Sequence, residues 1–329
     1  MRTKAPWILL GLMLTIGCGA KKTNSTSSGT GGSTAPKQQS VEGKIEIDGS
    51  STVHPISVAM AKSFKTNNPK VSINVGISGS GGGFKKFYAG ETDISNASRP
   101  IKQSEADKCK ENNIDFIELK VGLDGLAVII NKENTWAKQL TVEQLKKIWH
   151  PDEDGFKNAK MWSDLNPKWP KEKIKLYGPG IDSGTFDYFT EEINGKTGKT
   201  RKDYSPSEDD NEILTGVIGD KYALGYLGLA YYEGQKDNLT AVAIGEKPEG
   251  PFVLPTAKNV LEGTYTPLSR PLFIYVKKAS LETKPQVRAF VQFQLRRSDL
   301  VEAAKYVKLS KIEQAKQQKK LEDVLENIK

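Results

Sequence analysis

The chain has 329 residues, 37% hydrophobic and 27% charged, with a formal net charge of +8. That length can build one large domain or two lobes, each with its own core. Mean hydropathy is −0.51, and no apolar run reaches the ~18 residues a membrane span needs, which excludes a multi-span membrane protein. The lysines are scattered from 62 to 329 without aromatic interleaving or a nucleic-acid motif, which argues against nucleic-acid binding.

The N-terminus is read as a leader. Met1–Pro6 carries Arg2 and Lys4, and Trp7–Ile16 is apolar. These are the charged and hydrophobic regions of a secretory signal. The run ends at Gly17-Cys18, a small residue before a lone cysteine, as in a bacterial lipoprotein cleavage box. The match is imperfect: Thr15 stands three residues before the cysteine, with Leu14 one step further out. We expect a signal peptide over 1–17 and lipidation of Cys18, the alternative being a plain signal with an incidental cysteine. Cys109, the other of the two cysteines, then has no disulfide partner and reads as a structural thiol. Residues 18–43 join the lipid to the fold. Ala20–Ser40 is rich in Ser, Thr, Gly, Lys and Gln and cannot bury enough surface to order itself. It reads as a tether of about 20 residues with a reach of roughly 25 Å. The expected location is extracytoplasmic, lipid-anchored to the cell membrane.

From Lys44 strands and helices alternate. Lys44–Ile47 is a short strand, and Val53, Ile56, Met60 and Phe64 then recur at helical spacing. Ser72–Ile77 alternates as a strand and Ser78–Gly83 reads as a glycine-rich turn before a helix. Asp93–Pro100 is a strand-to-loop exit, and Ser104, with Asp107 three residues on, reads as the cap of the next helix. Phe116–Val121 and Leu126–Asn131 read as two buried strands. Thr141 and Gln144 form a capping box opening a helix to Trp149. Lys173–Tyr177 is a strand, Gly178–Thr185 its exit loop, and Phe186, Phe189 and Ile193 mark the following helix. Tyr222–Leu229, Ala241–Gly245 and Pro271–Val276 are further strands, and the chain is helical from Glu282. The alternation implies parallel sheets covered on both faces, with ligands at the carboxyl ends of strands.

Four loops sit at such ends: Gly49-Ser50-Ser51-Thr52, Ser78–Gly83, Ala97-Ser98-Arg99 and Asp182-Ser183-Gly184-Thr185. Each puts Gly or Ser beside hydroxyls at a helix start, where free N–H groups favour anions. Glycine permits close backbone approach, and Arg99 adds a planar fork. Taken singly each is an ordinary cap or turn. Together they can surround a small tetrahedral oxyanion.

Asp48–Pro55, Ser78–Phe84, Thr92–Ile101, Gly122–Leu126, Gly180–Phe189, Ser207–Asn211 and Ala223–Tyr226 are similar, in order and spacing, to segments of the phosphate-binding proteins of ABC-type phosphate importers. The resemblance covers roughly 44–310. It implies a two-lobed, periplasmic-binding-protein-like α/β fold with doubly wound sheets and a hinged ligand cleft. The implied partners are inorganic phosphate and the membrane permease and ATPase subunits of the importer, with the lipid bilayer reached through Cys18. Phosphate contacts carry over onto Thr52, Ser80, Ser183, Gly184 and Thr185, with Ser51 as an extra contact. The best-known branch has an Asp in the third loop and an Arg before the fourth. Here Ser98-Arg99 stands in the third loop, while Pro179 and Asp182 stand at the fourth, so the charges have exchanged lobes. Arg99 is expected to hold the ligand's charge. Asp182 is expected to face its proton and reject sulfate, with Asp124 as the next candidate.

No catalytic residue, cofactor or metal is expected. A hydrolase would need a base beside a nucleophile, but no Gly-x-Ser-x-Gly elbow accompanies His54 or His150. Gly195–Thr200 departs from a P-loop at Ile193 and reads as a lysine-rich surface turn. Glu208-Asp209-Asp210 reads as a charged helix start. A different oxyanion, such as sulfate, molybdate or an organic phosphate, stays open. Lobe one is expected to span 44–130 plus 252–329, and lobe two 131–251.

Overall fold

The computed structural model describes residues 41–327 apart from Asp154 and Asp182. The signal, Cys18 and most of the tether, together with Asp182, therefore lie outside the described residues. In chain order the elements are β1 (Gly43–Gly49), α1 (His54–Asn67), β2 (Val71–Val75), α2 (Gly79–Tyr88), β3 (Ile94–Ala97), α3 (Gln103–Glu111), β4 (Phe116–Asn131), β5 (Gln139–Thr141), α4 (Val142–Trp149), β6 (Lys175–Pro179), α5 (Gly184–Asn194) and β7 (Ser205–Ser207). There follow α6 (Asp210–Gly219), β8 (Ala223–Gly228), α7 (Leu229–Glu233), β9 (Leu239–Ala241), β10 (Ala243–Gly245), α8 (Ala257–Leu261), β11 (Ser269–Lys277), α9 (Lys278–Thr283), α10 (Pro285–Arg296), α11 (Ser298–Ala303) and α12 (Lys311–Asn327).

The alternation of Ile45 and Ile47 makes β1 a strand with one face in the core, and Ile56, Met60 and Phe64 line the buried face of α1. Strands β2, β1 and β3 are parallel, as the alternation implied. The sheet as a whole is mixed, however. β11 runs antiparallel between β3 and β4, and β4 runs antiparallel to β8. Beyond β8 the strands β6 and β7 are again parallel.

The two strands expected at 116–121 and 126–131 are one strand of 16 residues. Its first part pairs with β11 and its second with β8 and β9. Gly122 and Gly125 look like loop residues in sequence. In the structure they let the strand bend without ending, with a register shift opposite Leu272/Phe273. The turn expected at Ser78–Gly83 is also corrected. Helix α2 starts at Gly79, so the glycine run forms its first turns. Likewise α3 is capped by Lys102 rather than Ser104, with Glu105 Oε2 accepting from the Lys102 N–H at 2.9 Å. The Thr141 capping box is present in both directions.

Two large cores result. One gathers Ile45, Ile56, Phe64, Leu119, Ile274 and Phe290. The other gathers Val128, Trp149, Trp162, Phe189, Tyr226 and Leu268. The two cores share the chain out as follows. Leu126–Ile130, Val260, Tyr265 and Leu268 all join the second core, while Leu272 joins the first. The last helix is docked: Gln314 and Gln318 donate to Leu295 O at 2.7 and 3.1 Å, and Gln317 accepts from Lys120 N at 3.0 Å. Cys109 is buried, and burial pushes its thiol up to about 11, which suits a structural thiol.

Phe290 is fully buried and packs edge-on against Phe64, ring centroids 5.4 Å apart. Phe290→Ala should lower unfolding free energy by about 3–5 kcal/mol. Urea unfolding checks this, and a loss under ~1 kcal/mol would mean the first core repacks around the gap.

Candidate functional site

The first loop leaves β1 at Gly49, whose φ of +140 and whose closeness to Asn96 both demand glycine: an added Cβ would lie 2.2 Å from Asn96 O. Ser50 N–H bonds Asn96 O at 3.0 Å, which presses the first loop onto the third. Thr52 is buried, and its Oγ1 accepts from Arg270 Nη2 at 2.9 Å. The second loop is tied down by Asp48, which accepts from Ser78 Oγ and from Lys86 Nζ, the latter at 2.6 Å. Its Ser80 Oγ accepts from Ser98 N–H at 3.1 Å and lies 3.3 Å from Ser98 Oγ. Three of the four expected loops are thus cross-linked to one another.

These loops line a cavity of about 520 Å³ that includes Ser51, Thr52, Ser80, Ser98 and Arg99. Helix α5 supplies the facing wall with Asp187, Glu191 and Glu192, and β11 supplies Arg270. Ser51 and Asp187 both line this cavity. Burial pushes Asp187 up, opposed by Arg270, and pushes Glu192 up in the same way. Of the fourth loop, Gly184 comes against the first: Thr52 Oγ1 lies 3.4 Å from Gly184 O. Ser183 and Thr185 do not line the cavity. Ser183 caps α5 and accepts from Thr185 N–H at 3.2 Å. Asp182 lies outside the described residues.

Arg99 is in the cavity wall, but its fork is bidentate to Glu105 at 2.7 and 2.8 Å. Burial alone would push the Glu105 carboxyl up, yet the Arg99 guanidinium and the Lys102 N–H hold it below the usual carboxylate range. The first turn of α3 therefore already neutralises Arg99.

Arg270 was missed in the sequence. It stands directly opposite Asp124 in the antiparallel pair of β11 and β4. Its Nε lies 3.6 Å from Asp124 Oδ2, and its guanidinium lies 3.6 Å above the Tyr188 ring. Its side chain is 13% exposed. Burial pushes the Asp124 carboxyl up, with Arg270 opposing the rise. A signal did exist: one cation heading the apolar run Leu272–Val276. A strand started at Pro271 leaves Arg270 outside it. As for the histidines, His150 is buried with Nδ1 2.8 Å from Pro151 O and its ring tilted on Phe156, while His54 opens α1.

Residues 25–298 match the family described as PBP superfamily domain. The chain is 47% identical over 251 residues to Protein SphX from Synechocystis sp., covering 76% of this chain and 74% of that one. It is 40% identical over 286 residues to the phosphate-binding protein PstS of Staphylococcus saprophyticus, covering 86% of each. The crystal structure of a possible phosphate binding protein from Planctomyces limnophilus is 46% identical, with a TM-score of 0.82 over 87% of this chain and 100% of that one.

A Cβ on Gly184 would lie 2.7 Å from Thr52 Oγ1 and 2.8 and 2.9 Å from its N and Cα. The last two are backbone atoms and cannot rotate away. Gly184→Ala should therefore hold the first and fourth loops apart and raise the radius of gyration in small-angle scattering. A scattering curve unchanged from the wild type would show that the loops slide past the extra methyl.

Proposed function

This chain belongs to the PBP superfamily and, within it, to the PstS-type phosphate-binding proteins, and on that premise we propose that it captures inorganic phosphate between its two lobes, outside the cytoplasm, and delivers it to the permease and ATPase subunits of an ABC importer. It is a binding protein and not an enzyme. One observation carries the reading of the site: hydroxyls of Ser51, Thr52, Ser80 and Ser98 and two guanidinium groups line one cavity between loops of both lobes. That donor set suits a small tetrahedral oxyanion. The site is taken to comprise Ser51, Thr52, Ser80, Ser98 and Arg99 from the first lobe. Ser183, Gly184 and Thr185 are added to them at the start of α5, where Gly184 meets Thr52 of the first loop. Calorimetry of the purified protein with phosphate, sulfate and a phosphonate tests the reading. Phosphate should bind far more tightly than the other two, and equal binding of sulfate would overturn it.

Asp182 is proposed as the group that selects phosphate. Phosphate near neutral pH keeps a proton that a carboxylate can accept, whereas sulfate offers only lone pairs. A buried polar group left unpaired costs roughly 1–3 kcal/mol, more when charged. Asp182→Asn should admit sulfate as a competitor and leave ligand-free melting nearly unchanged. If sulfate stays excluded there but enters Asp187→Asn, the selecting carboxylate is Asp187, which lines the cavity.

Anchoring through Cys18 is proposed from the sequence alone. Among the described residues no helix is long and apolar enough to cross a membrane. Cys18→Ser should move the protein from the membrane to the soluble fraction with phosphate binding intact. Retention on membranes in high salt would mean that lipid is not the anchor.

A further inference from the structure

Two guanidinium groups border the cavity, and their situations differ. Arg99 is gripped by Glu105 through two short bonds and lies 5.4 Å from the Phe84 ring centroid. Taking up a ligand would mean sharing or breaking a charge-assisted pair. Arg270 is held loosely. Its Nε stands 3.6 Å from Asp124 Oδ2, beyond hydrogen-bond reach, and both atoms are buried without a hydrogen-bond partner. Buried polar atoms of that kind call for a reason. The remaining contacts fix the plane of the group and leave donors over. One Nη donates to Thr52 Oγ1, and the Tyr188 ring covers one face at 3.6 Å. Tyr188 is itself fixed, because its hydroxyl donates to Pro267 O at 2.5 Å.

Position adds to this. Arg270 and Asp124 pair where β4 turns from β11 towards β8, the point at which the chain passes between the cores. Thr52 belongs to the first loop, and Tyr188 lies on α5 with its side chain in the second core. One side chain thus touches both lobes and the strand that joins them. We propose that Arg270 is the principal cation of the ligand site, and that by bridging Thr52 and Tyr188 it links the ligand's charge to lobe closure. This rests on the phosphate reading above and names the group that carries it. Tyr188 is a positioning residue: it holds the guanidinium flat so that the free edge faces the cavity.

Lysine cannot replace arginine here, since an ammonium keeps the charge but loses the fork and the stack. The test is calorimetry with inorganic phosphate on the wild type, Arg270→Lys, Arg99→Ala, Tyr188→Phe and Tyr188→Leu, with ligand-free melting as the check on folding. Arg270→Lys should weaken phosphate at least about tenfold, and more than Arg99→Ala does. Tyr188→Phe keeps the ring and should bind close to wild type. Tyr188→Leu removes the ring and should weaken binding several-fold, with a smaller phosphate-induced fall in radius of gyration. If Arg270→Lys does not fold, the Tyr188 pair carries the comparison. Wild-type affinity in Arg270→Lys, a greater loss in Arg99→Ala, or Tyr188→Leu equal to Tyr188→Phe would overturn the assignment of Arg270. A wild type that takes up no phosphate would instead bring down the phosphate reading itself.

Discussion

Strand β4 carries both lobes, and the cleft depends on how it does so. β4 gives its first part to β11 and its second to β8, so a single backbone serves two cores. The passage needs a strand that bends but keeps its ladder. Gly122 and Gly125 meet that need, since added Cβ atoms there would lie 3.0 Å from Val301 Cγ1 and 2.9 Å from Val260 Cγ2. Between those glycines sits Asp124, opposite Arg270. The bend therefore carries its own, largely buried ion pair at the edge of the cavity. The first-lobe loops and the start of α5 converge on that pair.

Each guanidinium of the cleft has a carboxylate beside it. Arg99 comes with Glu105 and Arg270 with Asp124, while α5 adds Asp187, Glu191 and Glu192. Such a wall is not a general sink for anions. Field alone would attract sulfate, phosphate and organic acids alike. A cleft of paired charges has to discriminate by directed donors, whose worth depends on the ligand's shape and on where its proton lies.

Much of this was legible in the sequence, and the illegible part has a physical pattern. Helix α1 shows in the spacing of Ile56, Met60 and Phe64, and α4 in its capping box, because both are local rules. The Ser51, Thr52, Ser80 and Ser98 loops were visible as strand exits, and they do share a cavity. Arg270 was not visible, because its partner Thr52 is 218 residues away and nothing local connects them. Glu105, in contrast, lies only six residues from Arg99. It was overlooked because Ser104 looked like the cap of α3. The glycines at 79, 81, 82 and 83 suggested a turn, yet Gly83 is needed within α2, where a Cβ would lie 2.4 Å from Gly49 Cα. Close packing of one loop on another overrode local propensity there.

The hydroxyl protons narrow the roles further, because each serine or threonine has one to give. The Thr52 proton is directed at Gly184 O, 3.4 Å away. That contact joins the first loop to the fourth, and a ligand oxygen that takes the Thr52 proton competes with it. Ser80 and Ser98 differ. Ser80 Oγ accepts from Ser98 N–H, and the two hydroxyls lie 3.3 Å apart, so at most one of their protons is used between them. At least one remains for an oxygen in the cavity. The second and third loops thus offer a donor to the cavity, while the first and fourth meet at Thr52 and Gly184. That division gives the four similar loops two different physical tasks.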